Sequence, residues 1–330
     1  MKLFLGVDGG NTKTVALLST EDGTVVGAGR SGCSDIFNAP SEAAALNELD
    51  EAISTALAQA GAASDAIESA VFCLAGADWP EDLAFLHEAL AEHRYARRFY
   101  VANDTLAGLR AGTADGTGII LAYGTGGAIA ARNARGDFWH SGFWAEPLGG
   151  GAIGRLALWA VIRAELGLAP PTDLTELLAS HFDVKNVEAL VKLHNGRNAR
   201  VFTEIDMSRL APLVLNAAAD GDSAAMAVLD GQASLVAGYA RVAANKVGLV
   251  MKDSPVVLAG GVFRHESGLM SEMVQQHLAH DSLSITAADG EPATGALMLA
   301  LEAAGLEMTP TRLDAMERTA PGSDFYRTGN

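Results

Sequence analysis

The sequence predicts an α/β chain of two domains that repeat one βββαβαβα plan around a central cleft. Three observations point there. Apolar runs that end in glycine turns alternate with stretches of helical period. Their order over residues 2–112 begins again at about Gly118. Hydrophobic residues make up 49% of the 330 while aromatics are only 6% and glycines number 36, so closely approaching helices and strands of Ala, Val, Leu and Ile must fill the core. That composition disfavours an all-β sandwich.

In the first half, KLFLGVD is a continuous apolar run ending just before a glycine pair, KTVALLST is a second strand and GTVVGAGRSG a third, with EDG as the turn between the last two. The segment SEAAALNELDEAISTALAQAG predicts a helix with Ser41 as N-cap and Gly61 as its stop. The strand SAVFCLAG, the helix PEDLAFLHEALAEH, the strand RRFYVAN and the short helix DTLAGLRAG follow. The second half opens with TGIILAYGTGGAIAARNARGDFWHSGFW, in which NARG stands where the first copy has TEDG. After a helical stretch, SPVVLAGGVF supplies another buried strand with a glycine pair at its carboxyl end. The expected boundaries are a domain over 1–114, a second over 115–305, a hinge made of AGTADGTG, and a final helix within 306–330, followed by a tail.

A net charge of -17 sets the chain against nucleic acid and anionic membrane surfaces as partners. A polyanionic ligand must then be held by a local device. Cys33 and Cys73 lack any disulfide-framework or zinc spacing and are expected as buried free thiols in a reducing cytoplasm. MKLFLGVDGG breaks its apolar run too early for an export signal, and LALWAVIRAEL and SLVAGYARVAANKVGLVM meet charged residues before the length of a bilayer span.

Three glycine turns stand at strand ends: Gly9-Gly10, Gly124-Thr125-Gly126-Gly127 and Gly260-Gly261. None fits the Walker loop or the dinucleotide fingerprint. In the two hairpin copies a strand follows, so a phosphate would lie against backbone N–H groups of a β-turn, an approach that a side chain would block. Each turn alone reads equally well as a plain hairpin. Asp8 ends the first strand directly before its glycines, where a carboxylate beside phosphate calls for Mg²⁺ between them. Asn11, Thr12, Lys13 and Thr14 add donors, although Lys13 fits an exposed strand position as well. Asp104 ends the strand RRFYVAN and reads either as an N-cap or as a general base on the same sheet edge as Asp8.

VDGGNTKT, AYGTGG, VLAGGVF and Asp104 together resemble the actin-like (ribonuclease H-like) ATPase and sugar-kinase superfamily, and within it the N-acetylglucosamine kinase and BadF/BadG/BcrA/BcrD ATPase family. The similarity runs from Lys2 to about Ala304 and ends on EPATGALMLALEAAG. The resemblance implies that Gly9, Gly10, Asn11, Thr12, Lys13 and Thr14 form the first phosphate motif, with Asp8 near Mg²⁺. It makes Gly124, Thr125, Gly126 and Gly127 the second phosphate motif, Gly260 and Gly261 the adenosine motif, and Asp104 the base for the sugar hydroxyl. It also implies ATP, a small-molecule sugar, closure of two domains, a homodimer, and a final helix, TPTRLDAMERTA, packed back on the first domain.

Two loops depart from the family pattern. Asp35, with Asn38 nearby, stands where relatives carry an Asn that contacts sugar. FWAEPLGGGAIGRLAL replaces a Gly-Asp-Glu-Gly-Ser type loop, leaving Glu146 as its only carboxylate and a helix-capping glycine turn as the alternative reading. Gly76, Ala77 and Asn103 complete the implied sugar set. Trp79, Trp139 and Trp144 are either sugar-stacking or partly buried aromatics. The leading expectation is an amino-sugar kinase. Its rivals are an ATPase activator of a 2-hydroxyacyl-CoA dehydratase, which needs cluster-bridging cysteines, and a non-catalytic nucleotide- or sugar-binding relative.

Overall fold

The computed structural model describes residues 2–197, 199–281, 283–287 and 290–327. The chain divides into two compact units, Met1–Thr117 with Ala288–Asn330, and Gly118–Ala287. The first unit holds β1 (Leu3–Gly9), β2 (Thr14–Ser19), β3 (Val25–Ser31), α1 (Glu42–Ala60), β4 (Ile67–Leu74), α2 (Pro80–His93), β5 (Phe99–Asn103) and α3 (Thr105–Gly112). Its sheet has the order β3-β2-β1-β4-β5, antiparallel across the first three strands and parallel from β1 through β4 to β5. The first strand is apolar on both faces because both are covered. Leu3, Leu5 and Val7 join Phe72 and Leu74 in a core shared with Leu49, Ile53 and Leu86 of α1 and α2, whereas Phe4 joins Val71 and Cys73 on the other face. Ser41 caps α1 by accepting the Ala44 N–H at 3.1 Å, and Gly61 ends that helix at φ 60°, as the sequence predicts.

The second unit contains β6 (Gly118–Tyr123), β7 (Gly127–Arg132), β8 (Phe138–His140), α4 (Gly150–Glu165), α5 (Leu174–His181), α6 (Val187–Asn195), α7 (Glu204–Ser208), α8 (Ala211–Ala219), α9 (Ser223–Lys246), β9 (Pro255–Ala259), α10 (Leu269–His277) and β10 (Ser284–Ala287). Its strand order, β10-β9-β6-β7-β8, is the first sheet's order repeated. The matched hairpin turns bend alike, with Gly23 and Gly136 both at φ 89°. The third strand is short, because the chain turns at Gly142–Trp144 where the sequence would have continued it. No apolar run announces β10; parallel pairing of Ser284–Ala287 with β9 makes it a strand.

The last three helices, α11 (Pro292–Ala303), α12 (Pro310–Thr319) and α13 (Ser323–Tyr326), lie within the first unit. The expected division, which runs the second domain to 305, therefore differs from the structure at α11, and the first join falls at Thr117 rather than 114. The physical reason is shape. Ala293, Ala296, Leu297, Ala300 and Leu301 pack with Phe4, Val71 and Cys73, and Gly6 admits the helix so closely that a Cβ there would stand 2.1 Å from the Leu297 nitrogen. Gly295 admits α3 in the same way, with the Ala107 carbonyl 2.0 Å from where a Cβ would be. Arg110, 2% exposed, donates from Nε and Nη2 to Glu302 Oε1 at 3.0 and 2.8 Å, and from Nη1 to the Thr113 carbonyl at 2.8 Å. The α12 helix reaches β3 through the Val25 N–H, which donates to Thr319 Oγ1 at 2.8 Å. Among the described residues no helix is long and apolar enough to cross a membrane.

Candidate active site

Four acidic side chains gather at the carboxyl edge of β1, β4 and β5 in the first unit. Asp8 is paired across the sheet with Cys73, and Asn103 with Leu74, so the strand ends align. After Asp8 the chain turns through Gly9 and Gly10, and the Gly10 N–H donates to the Lys13 carbonyl at 2.9 Å. Gly9 is required by crowding, since a Cβ would lie 2.4 Å from Ser34 Oγ and 2.6 Å from Leu74 Cδ2. Thr14 faces inward, its hydroxyl engaged by the Gly32 carbonyl at 2.8 Å and Ser34 Oγ at 2.7 Å, so it braces the turn against the β3–α1 loop. Asn11 and Thr12 stand exposed at the tip. Lys13 Nζ donates to the backbone carbonyl of Tyr326.

The β3–α1 loop is organised by Asp35, which is only 4% exposed. Its carboxylate accepts the Phe37 N–H at 2.9 Å and Asn38 Nδ2 at 2.8 Å. Gly76 packs beneath it, where a Cβ would be 3.1 Å from Asp35 Oδ1 and 2.7 Å from Ile36 Cγ1. Ala77 is buried beside it. Asp35, Asn38, Gly76 and Ala77 thus share one loop cluster, with Asp35 spending its oxygens on the loop itself.

At the end of β5, Asn103 divides its amide. Oδ1 accepts the Thr105 N–H at 3.1 Å and its hydroxyl at 2.5 Å, while Nδ2 donates to Asp78 Oδ1 at 3.1 Å. Asp104 holds the N-cap position of α3 but makes no side-chain cap bond. The capping alternative for Asp104 is therefore filled by its neighbour. Asp78, in the β4–α2 loop at GADWP, is a member of this cluster that sequence reasoning passed over; an Asp in the loop after a buried strand, just before a Trp-Pro helix start, was the available signal.

Crowding of carboxylates away from water raises their proton affinity. Burial first, then Asp104 and Glu291, push Asp8 up to about 7, against an opposing pull from Lys13. Burial, then Asp104, Asp35 and Asp82, raise Asp78 to about 7. Asp104 is raised to about 6 by burial, with Asp35 adding to it and the Thr105 N–H opposing. Cys73 lies fully buried below, its thiol driven well up by burial and by Asp8 and Asp104. Cys33 is only half-buried, where the sequence expects a buried thiol. Among the described residues no group of three or more His, Cys, Asp or Glu is arranged to hold a metal unaided.

In the second unit the other two glycine turns meet. The Gly260 backbone, at φ 103°, is pressed against the end of β6, so that a Cβ would be 2.4 Å from the Tyr123 carbonyl and 2.9 Å from the Gly124 nitrogen. The Val262 N–H closes the contact by donating to the Tyr123 carbonyl at 3.2 Å. Gly124, Gly126 and Gly261 face the other way: nothing lies within 4 Å of where their Cβ atoms would be. The carbonyls of Gly124 and Thr125 accept the Gly150 and Gly151 N–H groups at 2.8 and 2.9 Å, tying the turn to the start of α4. Gly127 packs on Leu148, and Gly149, at φ 94°, touches the Gly126 backbone. The glycine run in FWAEPLGGGAIG thus buttresses the second turn, and Glu146 is exposed beside it, its N–H donating to the Tyr239 hydroxyl at 3.0 Å. Trp144 is exposed, whereas Trp79 and Trp139 are half-buried.

The same unit carries an apolar groove of about 570 Å³ between α4 and α9, lined by Leu156, Trp159, Val228 and Leu235. Leu156 and Trp159 remain exposed, as do Leu166 and Leu168 just beyond α4.

The chain matches the model of the BadF/BadG/BcrA/BcrD ATPase family over residues 5–300. It is 27% identical over 307 residues to an N-acetylmuramic acid/N-acetylglucosamine kinase of Clostridium acetobutylicum, covering 91% of this chain and 98% of the relative. An N-acetyl-D-glucosamine kinase of Dictyostelium discoideum is 26% identical over 319 residues with the same coverage. A crystal structure from Chromobacterium violaceum, provisionally assigned as an N-acetylglucosamine kinase, superposes with a TM-score of 0.67 at 26% identity, over 91% of this chain and 99% of that one. The fold also matches a ROK family glucokinase of Streptomyces griseus, with a TM-score of 0.56 at 18% identity, over 91% of this chain and 99% of that one. With the repeated sheet, the strand-end acids and a family match running through almost the whole chain, this protein belongs to the BadF/BadG/BcrA/BcrD ATPase family.

Proposed function

We propose that this chain is an ATP-dependent sugar kinase that phosphorylates the 6-hydroxyl of N-acetylglucosamine or glucosamine. The observation that carries the reading is Asp104, which stands at the carboxyl edge of a parallel strand with its capping role taken by Asn103 and its carboxyl raised to about 6. Such a group is ionised at neutral pH yet close enough to it to accept a proton efficiently. Asp104 takes the hydroxyl proton as the sugar oxygen forms its bond to the γ-phosphorus and the bond to the β-γ bridging oxygen breaks, releasing ADP.

The Gly9–Thr14 and Gly124–Gly127 turns, whose Gly10 and Gly124 N–H groups close the turns themselves, hold the phosphate oxygens, and Gly260 with Gly261 lies against the adenosine. Asp35, Asn38, Gly76, Ala77 and Asn103 line the sugar. Asp78 joins them here through its bond from Asn103. Magnesium fits the donor set, because Asp8 is a hard oxygen ligand whose crowding by Asp104 and Glu291 a divalent cation would relieve. When bound with the nucleotide, it neutralises charge that develops on the phosphoryl oxygens. A cytoplasmic location goes with this reading, and so does a homodimer, for which the exposed apolar surface at Leu156, Trp159 and Leu168 is the available face.

The test is a coupled ADP-release assay over hexoses, amino sugars and N-acetylated sugars, run alongside Asp104→Asn. Sugar-stimulated ADP release that disappears in the variant supports the kinase. Turnover indifferent to every sugar, or a fully active variant, ends it.

A further inference from the structure

Resting on the kinase reading, we infer that Lys13 is a positioning residue, held by the chain's own C-terminal segment, and not a ligand of the phosphates. Its ammonium donates to the backbone carbonyl of Tyr326 and stands 5.8 Å from the centroid of that ring. The main chain of the same residue closes the glycine turn, since its carbonyl accepts the Gly10 N–H at 2.9 Å. Anchoring the Lys13 side chain therefore fixes the carbonyl that orients Gly10.

The anchor is itself secured. Arg30 Nη1 donates to the Phe325 carbonyl at 2.9 Å, one residue before the Lys13 contact. Tyr326 is 5% exposed and packs with Phe4, Leu17 and Met316 in the core beneath β1 and β2. Farther back, Arg312 Nε donates to the Glu21 carbonyl at 2.8 Å, and Thr319 accepts the Val25 N–H. The segment thus grips both hairpin turns of the first three strands, at Lys13 and at Glu21. A lysine that bound phosphate as a point charge would need its ammonium turned to the ligand. Here the ammonium gives one of its N–H donors to the carbonyl of a residue packed in the core, which fixes where the ammonium stands.

The two roles separate in a double-mutant cycle. MgADP affinity is measured by calorimetry, and KM for ATP and for N-acetylglucosamine by the coupled assay, in Lys13→Met, in a chain ending at Pro321, and in the combination. If the tail acts through Lys13, each change weakens MgADP and raises KM for ATP about tenfold, leaves the sugar KM within about twofold, and the combination is no worse than either alone. A full additional loss on adding Lys13→Met to the shortened chain overturns the inference, as does a shortened chain with undiminished nucleotide affinity. Should the shortened chain fail to fold, Arg30→Gln takes its place in the cycle and the same two outcomes decide. A wild-type chain that binds no MgADP overturns the kinase reading and this inference with it, whereas additivity in an active wild type overturns this inference alone.

Discussion

Asn103 caps α3 in place of Asp104: its Oδ1 receives both the N–H and the hydroxyl of Thr105, at 3.1 and 2.5 Å. The carboxylate beside it makes no side-chain cap bond of its own. Asp104→Asn should leave the melting temperature unchanged or higher while turnover falls by about 10²–10⁴. Asn103→Ala should lose about 1 kcal/mol of stability with the bonds to Thr105 and raise KM for the sugar. Thermal melts beside the coupled assay distinguish the two, and a strongly destabilised Asp104→Asn would contradict the assignment.

The pH dependence follows from the same acids. With Asp8 and Asp78 at about 7 and Asp104 at about 6, kcat/KM for the sugar should fall as pH drops through 7 and fall more steeply below about pH 6, where Asp104 takes up its proton. Asp35→Asn removes a nearby negative charge and should move that limb to lower pH. A limb that stays in place would show that Asp104 is not the titrating group.

Stability should move in the opposite sense to activity. Asp8 and Asp78 near 7, and Asp104 near 6, hold protons in the folded chain that an unfolded chain releases from about pH 4 upward. Stability of the ligand-free protein is then greatest at the acid end of this window and declines as pH rises toward 7, above which all three are ionised together. Melting temperatures at pH 5 and pH 8 test the direction, and Asp78→Asn should narrow the difference between them.

The glycines divide into two kinds with different signatures. At Gly124, Gly126 and Gly261 an added methyl meets nothing in the protein, so alanine there should leave the melting temperature intact and raise KM for ATP, as a methyl intrudes where phosphate or nucleoside would lie. Gly149→Ala should instead lose about 1–3 kcal/mol, because its φ of 94° and a Cβ 2.3 Å from the Gly126 carbonyl carbon leave no room. Equal effects of both kinds on stability would refute the distinction.

Glu302→Ala should destabilise the first unit by about 3 kcal/mol, since it strands the Arg110 guanidinium in a buried site with only the Thr113 carbonyl as its remaining acceptor in this cluster. Replacing both partners, Arg110→Met with Glu302→Leu, should recover much of the loss. Urea titrations of the three variants read this out.

Much of the fold was legible because its signals are local. Ser41 and Gly61 bracket α1, EDG and NARG announce equivalent turns, and the repeated apolar strands follow from burial on both faces. What stayed hidden depends on distant chain. Nothing in EPATGALML reveals that its small residues fit Gly6, and nothing in NTKT that Lys13 meets residue 326. In the site, Asp8 and Asp104 were readable as strand-end acids, while Asp78 was masked by the helix start that follows it and became visible through its bond from Asn103.

The placement of α11 has a consequence for how this protein is made. The first sheet emerges from the ribosome without the helix that covers Phe4, Val71 and Cys73, because that cover is encoded beyond residue 291. Until then one face of β1 and β4 stays bare, and about 170 residues of the other unit must be synthesised in the interval. The amino-terminal unit is thus finished only after the other has been made, and a chain cut before residue 292 lacks the helix that covers this face of its first sheet.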